Sequence, residues 1–339
     1  MSIVRIGLDL AKQVFHVHGV NEREQPELRK KLNRGQVLDF FARLEPSLVG
    51  IEACGSAHYW ARELQKFGHE VRLMAPQFVA PYRKDQKNDD NDAEAICEAV
   101  GRPNMRFVPV KSAEQQAILT LHRVRAQLIE ERTSVGNQIR GLLNEYGLVL
   151  PKSIPRLRRD LPAVLEDAEN GLPDLARDTI ADLAERLGEL EERIKRYDKR
   201  IERLADDSGT ASRLMQVEGI GPVTATALVA TVGDARYFKN GRQFAAWLGL
   251  VPRQFSTGGK PRHGRITKRG DRYLRTLLVH GARTALCQLS RLNTAKAQWA
   301  QGVRQRRGFN KATIALAAKQ ARILWALMAR EADYEPAKG

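Results

Sequence analysis

Cysteine is scarce in this chain of 339 residues: Cys54, Cys97 and Cys287 stand too far apart to form a disulfide framework or a thiolate metal site. They read as small buried hydrophobes. Long apolar runs are also missing, and no stretch approaches the ~18 consecutive apolar residues of a membrane-spanning helix. The first ten residues lack the basic-then-apolar order of a signal peptide. A cytoplasmic protein with no membrane partner is therefore expected. Acid is in short supply as well: 40 Asp and Glu face 56 Lys and Arg, a net charge of +16. Such an excess repels itself unless a polyanion neutralises it, and the commonest large polyanion in a cell is nucleic acid. With 42% hydrophobic and 28% charged residues the chain has the balance of a globular protein, which excludes wholesale disorder.

The first third alternates strand-like and helix-like patterns. Ile3 to Asp9 is an apolar run ending in an acid, and Val14 to Val20 alternates as a hairpin partner, with Leu10 to Gln13 as the turn. A helical stretch from Gly35 to Leu44, a strand Leu48 to Glu52, a helix Ala57 to Phe67, a strand Val71 to Met74 and a helix from about Asp92 follow. This order predicts an α/β layered N-terminal domain over 1–110. Ser112 and Gln115 form a capping box before a heptad-like series, Ile118, Leu121, Leu128, Val135, Ile139, Leu142 and Tyr146. Pro151, Pro155, Pro162 and Pro173 mark a linker over 150–176. Ile180, Leu183, Leu187, Leu190, Ile194, Tyr197, Ile201 and Leu204 then alternate steps of three and four, a coiled-coil seam. Pairing within one chain and between chains are both open. The region 111–205 thus reads as a helical coiled-coil spacer, 206–330 as a mainly α C-terminal domain with helices over 273–289 and 312–329, and 331–339 as a flexible tail.

Two constellations carry chemistry. Asp9 and Glu52 each close an apolar strand, and Asp89 and Asp92 stand three apart where a helix starts, so they share a helix face. If those strands are neighbours, four carboxylates converge; their repulsion calls for a cation, and all-oxygen ligation suits Mg2+ or Mn2+. The plainer reading is a set of turn and helix caps. Further along, Gly219-Ile220-Gly221-Pro222 lies between helical stretches. Its freed N–H groups can hold a phosphate as a helix-hairpin-helix element does, or it is a tight turn. Between Arg253 and Arg275 the cations Arg253, Lys260, Arg262, Arg265, Lys268, Arg269, Arg272 and Arg275 face one acid, Asp271, a phosphate-binding composition read as a glycine-broken loop. Ser256 lies within it, before Gly258 and Gly259. Cations around a phosphate are one of the conditions a serine needs to attack phosphorus; taken alone, a loop serine is a turn residue.

Gly7 to Lys12, Ile51-Glu52-Ala53 and Lys87 to Ala93 resemble the D, E, D and D signatures of the DEDD transposases of insertion sequence family one-ten, whose N-terminal domain resembles the Holliday-junction resolvase RuvC. Trp247 to Pro252, Ser256 to Lys260 and Ile266 to Gly270 resemble the C-terminal transposase domain of its eleven-eleven subgroup. The resemblance implies a ribonuclease H-like (RuvC-like) N-terminal fold with Asp9, Glu52, Asp89 and Asp92 as the metal-binding acids. It implies Ser256, with Thr257 one register away, as the residue linked covalently to DNA through a 5'-phosphoserine. It further implies donor and target duplex DNA as partners, a structured noncoding guide RNA, a homo-oligomer (dimer or tetramer) and a nucleoid-associated place in a bacterium. Gly219, Gly221 and the basic residues from Arg253 to Arg272 would bind nucleic acid. Two other readings stand beside this one: a metal-dependent, structure-specific nuclease or junction resolvase with water as nucleophile, and a non-catalytic nucleic-acid binder.

Overall fold

The computed structural model describes residues 2–84, 88–257, 260–289 and 294–335. Lys87, Gly258 and Gly259 lie outside the described residues, as do the side chains of Thr257, Lys260 and His263. The chain divides into two compact units, Met1–Gln116 and Ala117–Gly339.

In the first unit β1 (Ile3–Leu10), β2 (Val14–Asn21) and β3 (Pro26–Asn33) form an antiparallel meander. Then come α1 (Val37–Ala42), β4 (Leu48–Glu52), α2 (Ala57–Lys66), β5 (Glu70–Met74), α3 (Pro76–Val79), α4 (Asp89–Val100) and β6 (Phe107–Val108). The sheet order is β3-β2-β1-β4-β5-β6, with β4 parallel to β1, β5 parallel to β4 and β6 antiparallel to β5. This is the mixed α/β sheet expected of a RuvC-like domain. Neither β3 nor β6 is legible in the sequence. The β3 segment PELRKKLN is a charged edge strand that buries only Leu32, and an edge strand needs no apolar alternation.

Strand alternation divides the side chains of the sheet between two faces. Ile6, Leu8, Phe15, Val17, Val49 and Ile51 are buried in one core cluster with Phe41 of α1 and Trp60 and Leu64 of α2. The other face of β1 and β4 carries Gly7 and Gly50, and α4 lies directly on them. A Cβ on Gly7 would stand 2.1 Å from the Ala93 carbonyl oxygen, and one on Gly50 would stand 2.7 Å from Val100 Cβ. By the period of two, Asp9 lies on the face of Gly7 and Glu52 on the face of Gly50. These two glycines therefore fix where the start of α4 meets the carboxylates. Helix α4 starts at Asp89, three residues before the expected start, because Asn88 caps it by accepting from the Asn91 N–H at 2.8 Å.

Helix α5 (Ala113–Asn144) begins at the end of the first unit with the expected Ser112–Gln115 capping box, and in the second unit it shares one apolar cluster with α6 (Ile154–Glu166) and α7 (Asp174–Asp206). Ile180, Leu187, Leu190 and Ile194 of α7 pack there with Leu128, Val135, Ile139 and Leu143 of α5, so the seam is satisfied within one chain. The proline-bearing stretch is not a bare linker. Pro155 occupies the first turn of α6, where its missing N–H costs nothing, and Pro162 is accommodated inside it.

The remaining helices, α8 (Gly209–Met215), α9 (Pro222–Val232), α10 (Gly241–Trp247), α11 (Arg272–Leu289), α12 (Ala295–Arg307) and α13 (Phe309–Arg330), form a second core. The segment expected as a loop is a β-hairpin, β7 (Pro252–Thr257) and β8 (Lys260–Ile266). Two strand-compatible runs around Gly258-Gly259 are a hairpin pattern that the density of cations obscures. The tail is tied down as far as Tyr334, whose N–H donates to Gln216 Oε1 at 2.9 Å; residues 336–339 lie outside the described part.

Candidate active site

Parallel pairing of Leu8 with Ile51 brings Asp9 and Glu52 side by side at the ends of neighbouring strands. The first turn of α4 adds Asp89, Asp90 and Asp92. Their fields meet at Asp9, whose carboxyl is pushed up to about 6, first by burial and then by the charges of Asp92, Asp89 and Glu52. The neighbouring Cys54 thiol is raised by burial and by Glu52 and Asp9. The four acids expected from the sequence thus lie near enough for the other three to act on the charge of Asp9.

Two further residues hold these acids, and sequence reasoning missed both. His16 of β2 stands directly across the ladder from Asp9 and is 9% exposed. Its Nδ1 lies 2.5 Å from Asp90 Oδ1 and its Nε2 3.5 Å from Asp89 Oδ2. The alternation V-F-H-V-H could have shown that His16 shares the face of Asp9. Arg83 Nε donates to Asp92, whose side chain is 15% exposed. That pairing depends on a tertiary approach with no local signal.

The donor set is all carboxylate, which suits a hard divalent cation, and burial together with three neighbouring acids raises Asp9. Among the described residues, however, no three His, Cys, Asp or Glu side chains stand close enough to hold a metal ion as placed. Arg83 and His16 occupy the carboxylates instead.

In the second unit Ser256 is exposed on β7, and its Oγ accepts from Gln254 Nε2 at 2.9 Å. Arg253, Arg262, Arg265, Lys268, Arg269 and Arg272 are all exposed around and beyond the hairpin. Arg275 is committed elsewhere, donating to the carbonyls of Leu248, Arg269 and Gly270 at 3.3 to 3.5 Å. Gly219 has φ +82, and a Cβ there would stand 2.2 Å from the Gly281 carbonyl oxygen, so packing of α11 accounts for this glycine. Gly221 caps α9 and has open space beside it.

A family model described as Transposase IS116/IS110/IS902 family matches residues 211–299, and the DEDD transposase model of IS110 matches residues 6–148. A Pseudomonas aeruginosa protein named a probable family 20 transposase is 54% identical over 99% of this chain and 100% of its own length. The chain belongs to the IS116/IS110/IS902 family of transposases. The transposase is also 40% identical to the Yersinia enterocolitica transposase for insertion sequence element IS1328, over 96% of each chain. With the Coxiella burnetii transposase for insertion sequence element IS1111A it shares 39% identity, over 97% of this chain and 90% of that one. This transposase is accordingly an enzyme that cuts and transfers DNA strands. No helix among the described residues is long and apolar enough to cross a membrane.

Proposed function

We propose that the chain is an insertion-sequence recombinase in which the acids of the first unit and Ser256 of the second act on one scissile phosphate. The observation that carries this reading is the placement of Asp9 and Glu52 at the ends of adjacent parallel strands, with α4, whose first turn bears Asp89 and Asp92, packed on the same face. Asp9, Glu52, Asp89 and Asp92 are the residues that would hold Mg2+ or Mn2+, which supplies a Lewis acid for the phosphate and the leaving oxygen. Arg83, which pairs with Asp92, would have to release that carboxylate for it to serve as a ligand.

Ser256 Oγ attacks the phosphorus as the bond from phosphorus to the 3' oxygen breaks, the serine proton passing to solvent and the leaving oxygen taking one from it. A 5'-phosphoserine and a free 3'-hydroxyl remain, and reversal onto a new partner exchanges strands. The exposed arginines and lysines from Arg253 to Arg272, with the Lys260 position of the same hairpin, support duplex backbone binding for donor and target. Gly221 is the hairpin glycine with room for a phosphate. The net charge of +16 supports a further partner, a structured noncoding RNA that selects the target. Leu142, Tyr146, Val149 and Leu175, exposed near one end of the α5–α7 pair, support assembly of a dimer or tetramer. The compact unit ending at Gln116 supports a division of the chain at about residue 110, and the separate apolar clusters of α5–α7 and α8–α13 support one at about residue 205.

The experiment is to trap the intermediate. Wild type incubated with end-labelled element-junction DNA and Mg2+, then denatured, gives a labelled protein band whose proteolysis maps to Ser256. Ser256→Ala gives none. Cleavage without any adduct would instead assign water as the nucleophile and make the chain a structure-specific nuclease or resolvase.

A further inference from the structure

Between α12 and α13 the second unit carries a surface groove of about 480 Å3, lined by Trp299, Lys319, Arg322, Ile323 and Ala326. No acid lines it. The Lys319 ammonium sits 4.4 Å from the centroid of the half-buried Trp299 ring, so the indole holds the cation in place. Burial lowers Lys319 below the ordinary lysine range, and Lys296 and Arg322 lower it further. The carboxylate next to Lys296 is Glu218, and it is already committed to Lys296 and to the Tyr334 hydroxyl. Neither Lys319 nor Arg322 has an ion pair with an acid among the described residues. Cations gathered against an aromatic and aliphatic wall without a counter-charge are placed to receive an anion that also has a flat apolar part.

We propose that this groove binds an unpaired nucleotide of a single-stranded polynucleotide. The backbone phosphate meets Lys319 and Arg322, and the base lies against Trp299, Ile323 and Ala326. A base inside a duplex is stacked on both faces and does not reach such a wall, whereas single-strand binding combines cations with aromatic platforms in this way. An acidic peptide would satisfy the cations and leave the wall uncovered. The proposal does not rest on the carboxylate chemistry, since its residues lie in the second unit and its test reads binding alone.

The test uses the full-length protein with fluorescein-labelled twelve-residue oligo-U, oligo-dT and duplex DNA of equal length, titrated by anisotropy over a range of salt. For the Lys319→Gln, Arg322→Gln double variant we expect single-strand affinity to fall about tenfold or more at low salt. The slope of log affinity against log salt should lose about 0.7, the one phosphate contact. Trp299→Leu should lower single-strand affinity by about fivefold or more and leave the salt slope unchanged. Lys319→Arg should retain binding, and duplex affinity should fall less than single-strand affinity in every variant. Whichever of oligo-U and oligo-dT suffers more identifies RNA or DNA as the occupant. Thermal melting checks that the variants fold, and the single variants at Arg322 and Trp299 read the site separately should the double variant unfold. Unaltered single-strand affinity and salt slope in folded variants would overturn the proposal. So would equal losses on single strand and duplex, or displacement of the oligonucleotide by polyglutamate as effectively as by unlabelled oligonucleotide.

Discussion

Replacing Asp9 by Asn should stabilise the metal-free protein while abolishing its chemistry. The Asp9 carboxyl rises from 3.8 to about 6 on folding, because burial and three acids oppose its charge. A carboxyl whose folded pKa is raised contributes no penalty below its unfolded value, and the penalty grows as pH climbs through the folded value. At pH 8 the full shift corresponds to about 3 kcal/mol, which solvent screening of this partly buried group reduces to roughly 1.5 to 2. Asn, neutral at every pH, escapes that penalty. Urea unfolding in the presence of a chelator, followed at pH 8 and pH 5, is the assay. Asp9→Asn should unfold at higher urea than wild type at pH 8, and the gap should fall to about half by pH 5, where the folded carboxyl is largely protonated. Added Mg2+ should narrow the gap at pH 8 by stabilising wild type alone. Equal stability at pH 8, or a gap indifferent to pH, would refute the convergence of carboxylates on Asp9.

Other expectations follow from the same packing. His16→Leu removes the donor to Asp90 and should speed amide exchange in the first turn of α4 by about tenfold, about one hydrogen bond to a charged group. His16→Gln, which keeps a donor, should restore protection. Gly7→Ala forces a Cβ to within 2.1 Å of the Ala93 carbonyl and should destabilise the first unit by about 3 kcal/mol or more, read by urea unfolding. His122 of α5 is 1% exposed, with Nδ1 3.1 Å from the Tyr273 hydroxyl and Nε2 3.0 Å from Thr226 Oγ1. Burial lowers it to about 4, so it contributes stability above pH 6.5 that is lost as pH falls toward 4. The His122→Leu variant should therefore show a shallower acid transition in circular dichroism.

The strand-and-helix order around the acids was legible because each element carries its own period: Ile3 to Asp9 and Leu48 to Glu52 are apolar runs closed by an acid, and Val14 to Val20 alternates. The heptad series of α7 was legible for the same reason. Its partner was not, since one apolar seam reads alike whether it faces a helix of the same chain or another; packing with Leu128 and Ile139 supplies the answer. Strand β3 escaped notice because an edge strand can be charged on both faces, and α6 because prolines in a first turn look like linker prolines. The hairpin around Ser256 was hidden by its arginines, whose charge advertises a ligand and says nothing of backbone conformation. The alternation of β2 places His16 on the face of Asp9 but does not show its approach to α4, and Arg83 reaches Asp92 from a segment with no helical or strand period linking the two. Gly7 and Gly50 show a sequence feature whose meaning emerges only with α4 in place.

The account stands most directly on a cleavage measurement across the acids themselves. Asp9→Asn, Glu52→Gln and Asp92→Asn, each confirmed as folded and still able to bind element-junction DNA, would be assayed for strand cleavage with Mg2+ and with Mn2+. The account predicts a loss of at least about a thousandfold for each, with DNA affinity close to that of wild type. Cleavage by all three at rates near wild type would contradict it and move the chemistry away from the end of the sheet.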